Sequence, residues 1–253
     1  MRVFITGASS GIGAALARHY AAQGAQLGLV GRNQQRLDAL AAELNCVTYV
    51  ADVRDAQAMQ SAAQDFMQRV GVPDIVIANA GVSSGTLTEH AEHLATFRAI
   101  MEINLLGMVH TFQPFLPTMK NSGQGQLVGI ASIAGLRGLP GASAYSASKA
   151  AAISYLESLR VELASVGISV TTICPGYIRT PMTAVNPYKM PFLMEVDVAA
   201  RKMAGIIANK KRYAILPWQM ALVGKLMRLL PAGAWDWAMK KAPYKPHLDW
   251  DWL

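Results

Sequence analysis

Tyr145 and Lys149 stand four residues apart in Ala144-Tyr145-Ser146-Ala147-Ser148-Lys149-Ala150-Ala151-Ala152, where alanine and other small residues predict a helix. Positions i and i+4 of a helix share one face, so a phenol and an ammonium become neighbours. A tyrosine with an ordinary pKa of about 10 exchanges protons poorly near neutrality unless a cation favours its phenolate. Lys149 can supply that cation. Ser132 ends the apolar run that starts at Gln126, and from there it can hydrogen-bond a substrate oxygen while Tyr145 exchanges a proton with it. Ser143 is placed to cap the helix. An isolated Tyr-x-x-x-Lys is usually a pair on a solvated helix face, so the weight of this reading comes from the elements around it.

The first of these is Arg2 to Thr6, a β-rich run that opens into Thr6-Gly7-Ala8-Ser9-Ser10-Gly11-Ile12-Gly13 and then a helical pattern closing at Gly24. Strand, glycine turn and helix form a phosphate-binding unit. Gly7 and Gly11 permit unusual backbone angles, Gly13 permits close helix packing, and the amides at the helix start attract pyrophosphate. The same residues contain Gly-x-Ser-x-Gly, the nucleophile elbow of serine hydrolases, with Ser9 as nucleophile. That rival is weak here, because the match follows the first strand and no earlier loop is available to complete an oxyanion hole.

A second strand, Gln26 to Gly31, ends where a dinucleotide fold meets the adenosine ribose. The 2′-hydroxyl of NAD calls for Asp or Glu near this point, whereas the chain has Gly31, Arg32 and, one turn on, Arg36. Arg32 suits a 2′-phosphate.

Further on, an amphipathic helix over 34–44 is stopped by Asn45, a third strand runs from Cys46 to Val50, and Asp52 is placed to accept from an adenine amino group. Asp55 caps a helix reaching Val70, Asp74 to Ala78 is a fourth strand, and Asn79-Ala80-Gly81 is its exit turn. Short apolar strands alternating with helices predict an α/β chain, a Rossmann-type doubly wound parallel sheet of about seven strands with helices on both faces. Residues 88–119 read as helix in two pieces carrying Asn104. His90 and His93, flanked by Glu89 and Glu92, read as a solvated first turn rather than a metal site. The helix of Tyr145 is expected to run to about Ser165, followed by a strand to Cys174 and then Pro175-Gly176. Residues 177–196, broken by prolines and rich in Met and aromatics, resemble a lid over an apolar ligand.

With 253 residues, 52% hydrophobic and 15% charged, the chain suits one large α/β domain and excludes disorder. Residues 1–216 are expected to form the dinucleotide-binding catalytic domain and 217–253 a helical C-terminal extension. Cys46 and Cys174 lack Cys-x-x-Cys spacing and fit a reduced, cytoplasmic compartment. The apolar run at the N-terminus is too short for a signal-peptide core, and no window is long enough to span a bilayer.

Taken together, these residues resemble the classical short-chain dehydrogenase/reductase family from the first strand to at least Thr180. Thr6-Gly7 with Gly11 and Gly13, Asp52, Asn79-Ala80-Gly81, Asn104, Ser132, Tyr145 with Lys149, and Pro175-Gly176 with Thr180 follow its pattern in order. Ala78 and Ala131 depart from it, where many members have Asn and Ser. The resemblance implies hydride transfer between a nicotinamide and a substrate carbonyl or carbinol carbon, with Tyr145 as acid or base and Ser132 orienting the oxygen. Lys149 would lower the Tyr145 pKa and bind the nicotinamide ribose, and Asn104 would hold a water linking Lys149 to bulk solvent.

Cofactor contacts are implied for Gly7, Ser9, Ser10, Gly11, Ile12, Gly13, Asp52, Val53, Asn79, Ala80, Gly81, Tyr145, Lys149, Pro175, Gly176, Ile178 and Thr180. With Arg32 the cofactor is expected to be NADP(H), and the substrate a small apolar ketone or secondary alcohol. A homodimer or homotetramer through the helices bearing Asn104 and Tyr145 is the family's habit. A cofactor-binding regulator without catalysis is the alternative on the same fold, and the complete Ser132, Tyr145 and Lys149 set argues against it.

Past residue 200 the resemblance loosens and the charge changes. Residues 1–200 hold 13 Lys and Arg against 13 Asp and Glu, whereas 201–253 hold 10 against 3, the whole net charge of +7. Trp218 to Leu230 is apolar on most of its circumference with Lys225 and Arg228 on one side; Trp235, Trp237, Lys240, Lys241, Tyr244 and Lys245 follow. Two readings stand. Such a helix packs on its own lid or on a partner subunit, or residues 217–245 cover the substrate entrance and rest peripherally on an anionic membrane. The cations form no run matching a nucleic-acid groove.

Overall fold

The computed structural model describes residues 1–250, so the last three residues of the expected 217–253 extension lie outside the described residues. The chain runs β1 (Arg2–Thr6), α1 (Gly11–Ala21), β2 (Gln26–Gly31), α2 (Gln34–Leu44), β3 (Val47–Val50), α3 (Ala56–Arg69) and β4 (Ile75–Ala78). It continues through α4 (His93–Met101), a π-helical turn (Glu102–Leu106), α5 (Gly107–Phe112), α6 (Leu116–Ser122), β5 (Gly125–Ile130), α7 (Ser143–Leu163) and β6 (Ile168–Pro175). Last come α8 (Pro181–Ala184), α9 (Val196–Ala208), β7 (Tyr213–Leu216), α10 (Trp218–Leu229) and α11 (Ala232–Met239).

Local chemistry sets most of these boundaries. The Asn33 side chain accepts from the Arg36 N–H at the start of α2, and Asn45 closes that helix in the left-handed region at φ 47°. Asp55 accepts from the N–H groups of Gln57 and Ala58, both at 2.9 Å, and opens α3.

All seven strands are parallel, in the order β3-β2-β1-β4-β5-β6-β7. Alternate strand residues feed two cores. Val3, Ile5, Leu29 and Ile77 pack with Leu16 and Tyr20 of α1 and Met203 and Ile207 of α9 on one face. Phe4, Val30 and Val76 pack with Phe66, Phe112, Phe115 and Leu156 on the other. Both faces are therefore covered, as a parallel sheet requires. The order reverses between β1 and β4, where their carboxyl ends leave a crevice.

Two local expectations are corrected. Helix was expected from Thr88, but α4 begins only at His93. The segment before it forms two tight turns instead, the His90 N–H donating to the Leu87 carbonyl and the His93 N–H to the His90 carbonyl. Ser143 does not cap α7; it is the first helical residue, and its hydroxyl donates to the Thr86 carbonyl. The cap comes from across the fold, because Thr86 Oγ1 accepts from the Ala144 N–H at 3.1 Å.

Candidate active site

The glycine turn between β1 and α1 is held against the exit of β4. Thr6 Oγ1 accepts from the Asn79 N–H at 3.3 Å, and Asn79 Nδ2 donates to the carbonyls of Thr6 and Gly7, both at 3.1 Å. Gly7 sits at φ 64°, and a Cβ there would lie 2.7 Å from the Ala80 Cα. Gly13 does not line the crevice: its missing side chain lets α1 press on the Gly7 carbonyl and on Asn79. Its contribution is packing. Ser10 stands at the N-cap of α1 and makes no side-chain capping bond, so the first-turn amides are left for another acceptor. Turn and amides together form a cradle that fits a pyrophosphate.

From this cradle a cleft of about 520 Å³ extends both ways along the carboxyl edge of the sheet. It is lined by every residue expected to contact the cofactor except Gly13. At one end lie Arg32, Asn33 and Arg36, with Asp52 and Val53 beside them and no carboxylate at the end of β2. The Asp52 carboxylate is already engaged. It accepts from the Arg54 main chain at 2.9 Å and side chain at 2.8 Å, with Arg32 Nη1 at 3.7 Å. Burial pushes this carboxyl up, but the Arg54 hydrogen bonds and the Arg54 and Arg32 charges outweigh it and leave it below the usual range.

At the other end β5 delivers Ser132 and α7 delivers Tyr145 and Lys149. Ser132 caps a short turn, its Oγ accepting from the Ala134 N–H at 3.1 Å. Lys149 Nζ is buried, donates to the Ile130 carbonyl at 2.9 Å and lies 5.9 Å from the Tyr145 ring centroid. Burial pushes this ammonium down to about 8. The Tyr145 phenol goes up: burial outweighs the Ser132 hydrogen bond that lowers it. That corrects the expectation of a phenolate favoured by Lys149, whose Nζ is directed at the Ile130 carbonyl.

Asn104 lies in the π-helical turn, buried behind the cleft rather than lining it. Its Oδ1 accepts from the Val82 N–H at 2.8 Å, and its Nδ2 donates to the Val82 carbonyl and to Ser148 Oγ, both at 3.0 Å. Both amide hydrogens are used, which leaves the second lone pair of Oδ1 as the side-chain group to which a water would donate. What it does is join the π-helical turn, the β4 exit loop and α7. An ideal Cβ on Gly81 would lie 3.2 Å from Asn104 Oδ1 and 3.5 Å from Lys149 Nζ, so the same junction sets the floor under the lysine.

A family profile described as short chain dehydrogenase matches residues 1–190. The chain belongs to the short-chain dehydrogenase family. An oxidoreductase of Myxococcus xanthus is 37% identical over 242 residues, covering 94% of this chain and 95% of its own. Among solved structures, a 3-ketoacyl-ACP reductase from Sinorhizobium meliloti superposes with a TM-score of 0.79 at 27% identity, over 88% of this chain and 100% of that one. An alcohol dehydrogenase from Thermococcus sibiricus, complexed with 5-hydroxy-NADP, superposes with 0.76 at 28% identity, over 85% and 95%. This chain is thus a short-chain oxidoreductase, of a family that uses nicotinamide cofactors.

Several residues that shape the site of this short-chain dehydrogenase escaped the sequence reading. Beyond α11 the chain turns back as a strap. Pro246 accepts from the Gly85 N–H at 2.8 Å, His247 Nδ1 meets the Gly85 carbonyl at 2.8 Å, and the His247 ring stacks on His93 with centroids 3.8 Å apart. His93 is therefore not a solvated first-turn residue; its Nδ1 also accepts from the Leu87 N–H. Leu248 and Trp250 line the cleft, as do Met182 and Val185 from the 177–196 segment. Lys245 Nζ donates to Asn186 at 3.1 Å, so the strap is joined to the 177–196 segment. The aromatic content of the tail was the one available signal, and it did not say where the tail returns.

Proposed function

We propose that this oxidoreductase interconverts an apolar ketone and its secondary alcohol with NADP(H), using Tyr145 as the acid or base. The observation that carries the reading is the meeting of Ser132, Tyr145 and Lys149 in one cleft with the glycine cradle and an arginine-lined far end. The bound nicotinamide would supply hydride to the substrate carbon or take it back. In the reductive direction the Tyr145 hydroxyl gives its proton to the carbonyl oxygen as that oxygen becomes negative. A phenol held protonated by burial is suited to this.

The Ser132 hydroxyl, anchored by its bond from Ala134, orients the same oxygen. Lys149 lines the same cleft beside Tyr145, where its ammonium would bind the nicotinamide ribose. Ile178 and Thr180 line the wall where a carboxamide would sit. Arg32 and Arg36, with no acid at the end of β2, favour a 2′-phosphate, and the Thermococcus sibiricus relative holds an NADP analogue. Met182, Val185, Leu248 and Trp250 give the substrate end an apolar wall.

The serine-hydrolase reading loses its support. Ser9 Oγ faces Gly31, and among the described residues no histidine lines the cleft to act as its base. The test is Tyr145→Phe against a carbonyl panel with NADPH. Turnover should fall by about a thousandfold or more while NADPH binding, read by fluorescence, stays within about threefold. Turnover near that of the unaltered protein would overturn the assignment.

A further inference from the structure

The helix α10 has two faces of unlike fate. Met220 and Gly224 are buried: Met220 abuts Gly176 in the cleft wall, and Gly224 meets Leu136, with Ile215 and Ile133 beyond it. Arg137 clamps the helix end by donating to the carbonyls of Met227 and Leu230, and its guanidinium lies 4.7 Å over the Trp235 ring. The inner face is therefore settled, and the outer face cannot turn inward. That outer face carries Trp218, Leu222, Leu226 and Leu229, which are 66%, 59%, 60% and 80% exposed. At helical spacing these four form one continuous stripe. Exposed Lys225 and Arg228 flank it on one side, and exposed Trp237, Lys240 and Lys241 follow in and after α11.

We infer that this stripe docks on the surface of an anionic lipid bilayer. Charge decides among the occupants. A second copy seated symmetrically on the stripe would present the same basic surface rather than a complementary one, whereas an anionic bilayer meets the cations with opposite charge and offers apolar depth for the leucines. A nucleic acid would use the cations and leave the leucines in water.

Composition supports the same choice. Trp218 and Trp237 stand exposed on this surface, and the chain's whole excess of positive charge lies after residue 200. Tryptophan with lysine and arginine is the pairing that settles at a membrane interface. Among the described residues no helix is long and apolar enough to cross a membrane, so the contact is a lying-on rather than a spanning one. Because Met220 on the inner face touches Gly176, the bilayer lies about one helix diameter, ~10 Å, from the cleft wall.

The experiment is sedimentation of the full chain with phosphatidylcholine vesicles, with and without phosphatidylglycerol. Binding should require phosphatidylglycerol and weaken as salt is raised. Leu226→Asp with Leu229→Asp should lower the partition by about tenfold or more while leaving the melting curve and the solution mass unchanged. Lys225→Gln with Lys240→Gln and Lys241→Gln, which alters no packed residue, should lower it by about a hundredfold and weaken the salt dependence, Arg228 being retained. Failure of the intact protein to sediment with anionic vesicles overturns the proposal, as does equal binding by either variant. A leucine-to-aspartate variant that turns a dimer into a monomer assigns the stripe to a second copy instead. Vesicle binding is read without substrate or cofactor, so its outcome is separate from that of the catalytic assignment.

Discussion

The main-chain N–H of Leu248 donates to the hydroxyl of Ser84 at 2.8 Å across 164 residues of sequence, and this bond lays the end of the chain over the cleft. With the proposed apolar ketone as substrate, the strap would form part of its wall. Leu248→Ala should raise KM for apolar ketones by about tenfold, with kcat changed by less than about threefold, since one small apolar wall is lost and no reacting group moves. Steady-state kinetics on ketones of graded chain length would show it, and the longest should suffer least from the enlarged pocket.

Arg32→Asp should weaken NADPH by about 10- to 100-fold and improve NADH, because the substitution removes a phosphate partner and adds an acceptor for the 2′-hydroxyl. Asp52 keeps its bonds from Arg54, so the fold at this end should survive. Fluorescence titration with both cofactors measures the ratio, and an unchanged ratio would remove Arg32 from the cofactor assignment.

Lys149 makes stability depend on pH in a definite direction. Its folded-state pKa is about 8, against 10.5 for an ordinary lysine. Below about 8 both states hold the proton; between about 8 and 10.5 only the unfolded chain does. Protons then favour unfolding, so the unfolding free energy rises with pH across that window, by about 3 kcal/mol in full. Lys245, pushed down to about 8 by its own burial, acts with the same sign. Urea unfolding from pH 7 to about 10 should show the rise, and Lys149→Met should remove about half of it while Lys245 retains the rest.

Asn104→Ala should destabilise the protein by about 2–4 kcal/mol, because it strands the Val82 N–H and carbonyl and loosens Ser148 in a buried site. Ser148→Ala, which removes one of these bonds, should cost about 1 kcal/mol. Denaturant midpoints for the two variants test the ranking; equal effects would mean that the Val82 contacts contribute nothing.

Residues close in sequence settled much of this protein. Tyr145 and Lys149 share a helix face because 3.6 residues per turn puts them there, and Ser132 follows an apolar strand that any parallel sheet must bury. The glycine turn, the Asn45 stop, the Asp55 cap and the missing acid after β2 are likewise local, and each was legible because a few neighbouring residues carry its whole physical cause.

Tertiary structure decided what depends on partners far apart in the chain. The cap of α7 comes from Thr86, the polar junction at Asn104 joins three separate segments, and the strap over the cleft is held by Ser84 and Gly85. No periodicity encodes such pairings, since hydrogen bonding and burial depend on which surfaces meet. The direction of the Tyr145 pKa belongs to the same class: the i,i+4 spacing put a cation nearby, but the depth of burial and the turn of Lys149 toward Ile130 set the sign. For α10 the composition foresaw an apolar helix with cations on one side. Only the packing of Met220 and Gly224 decided which residues go inward and which stripe remains for a partner.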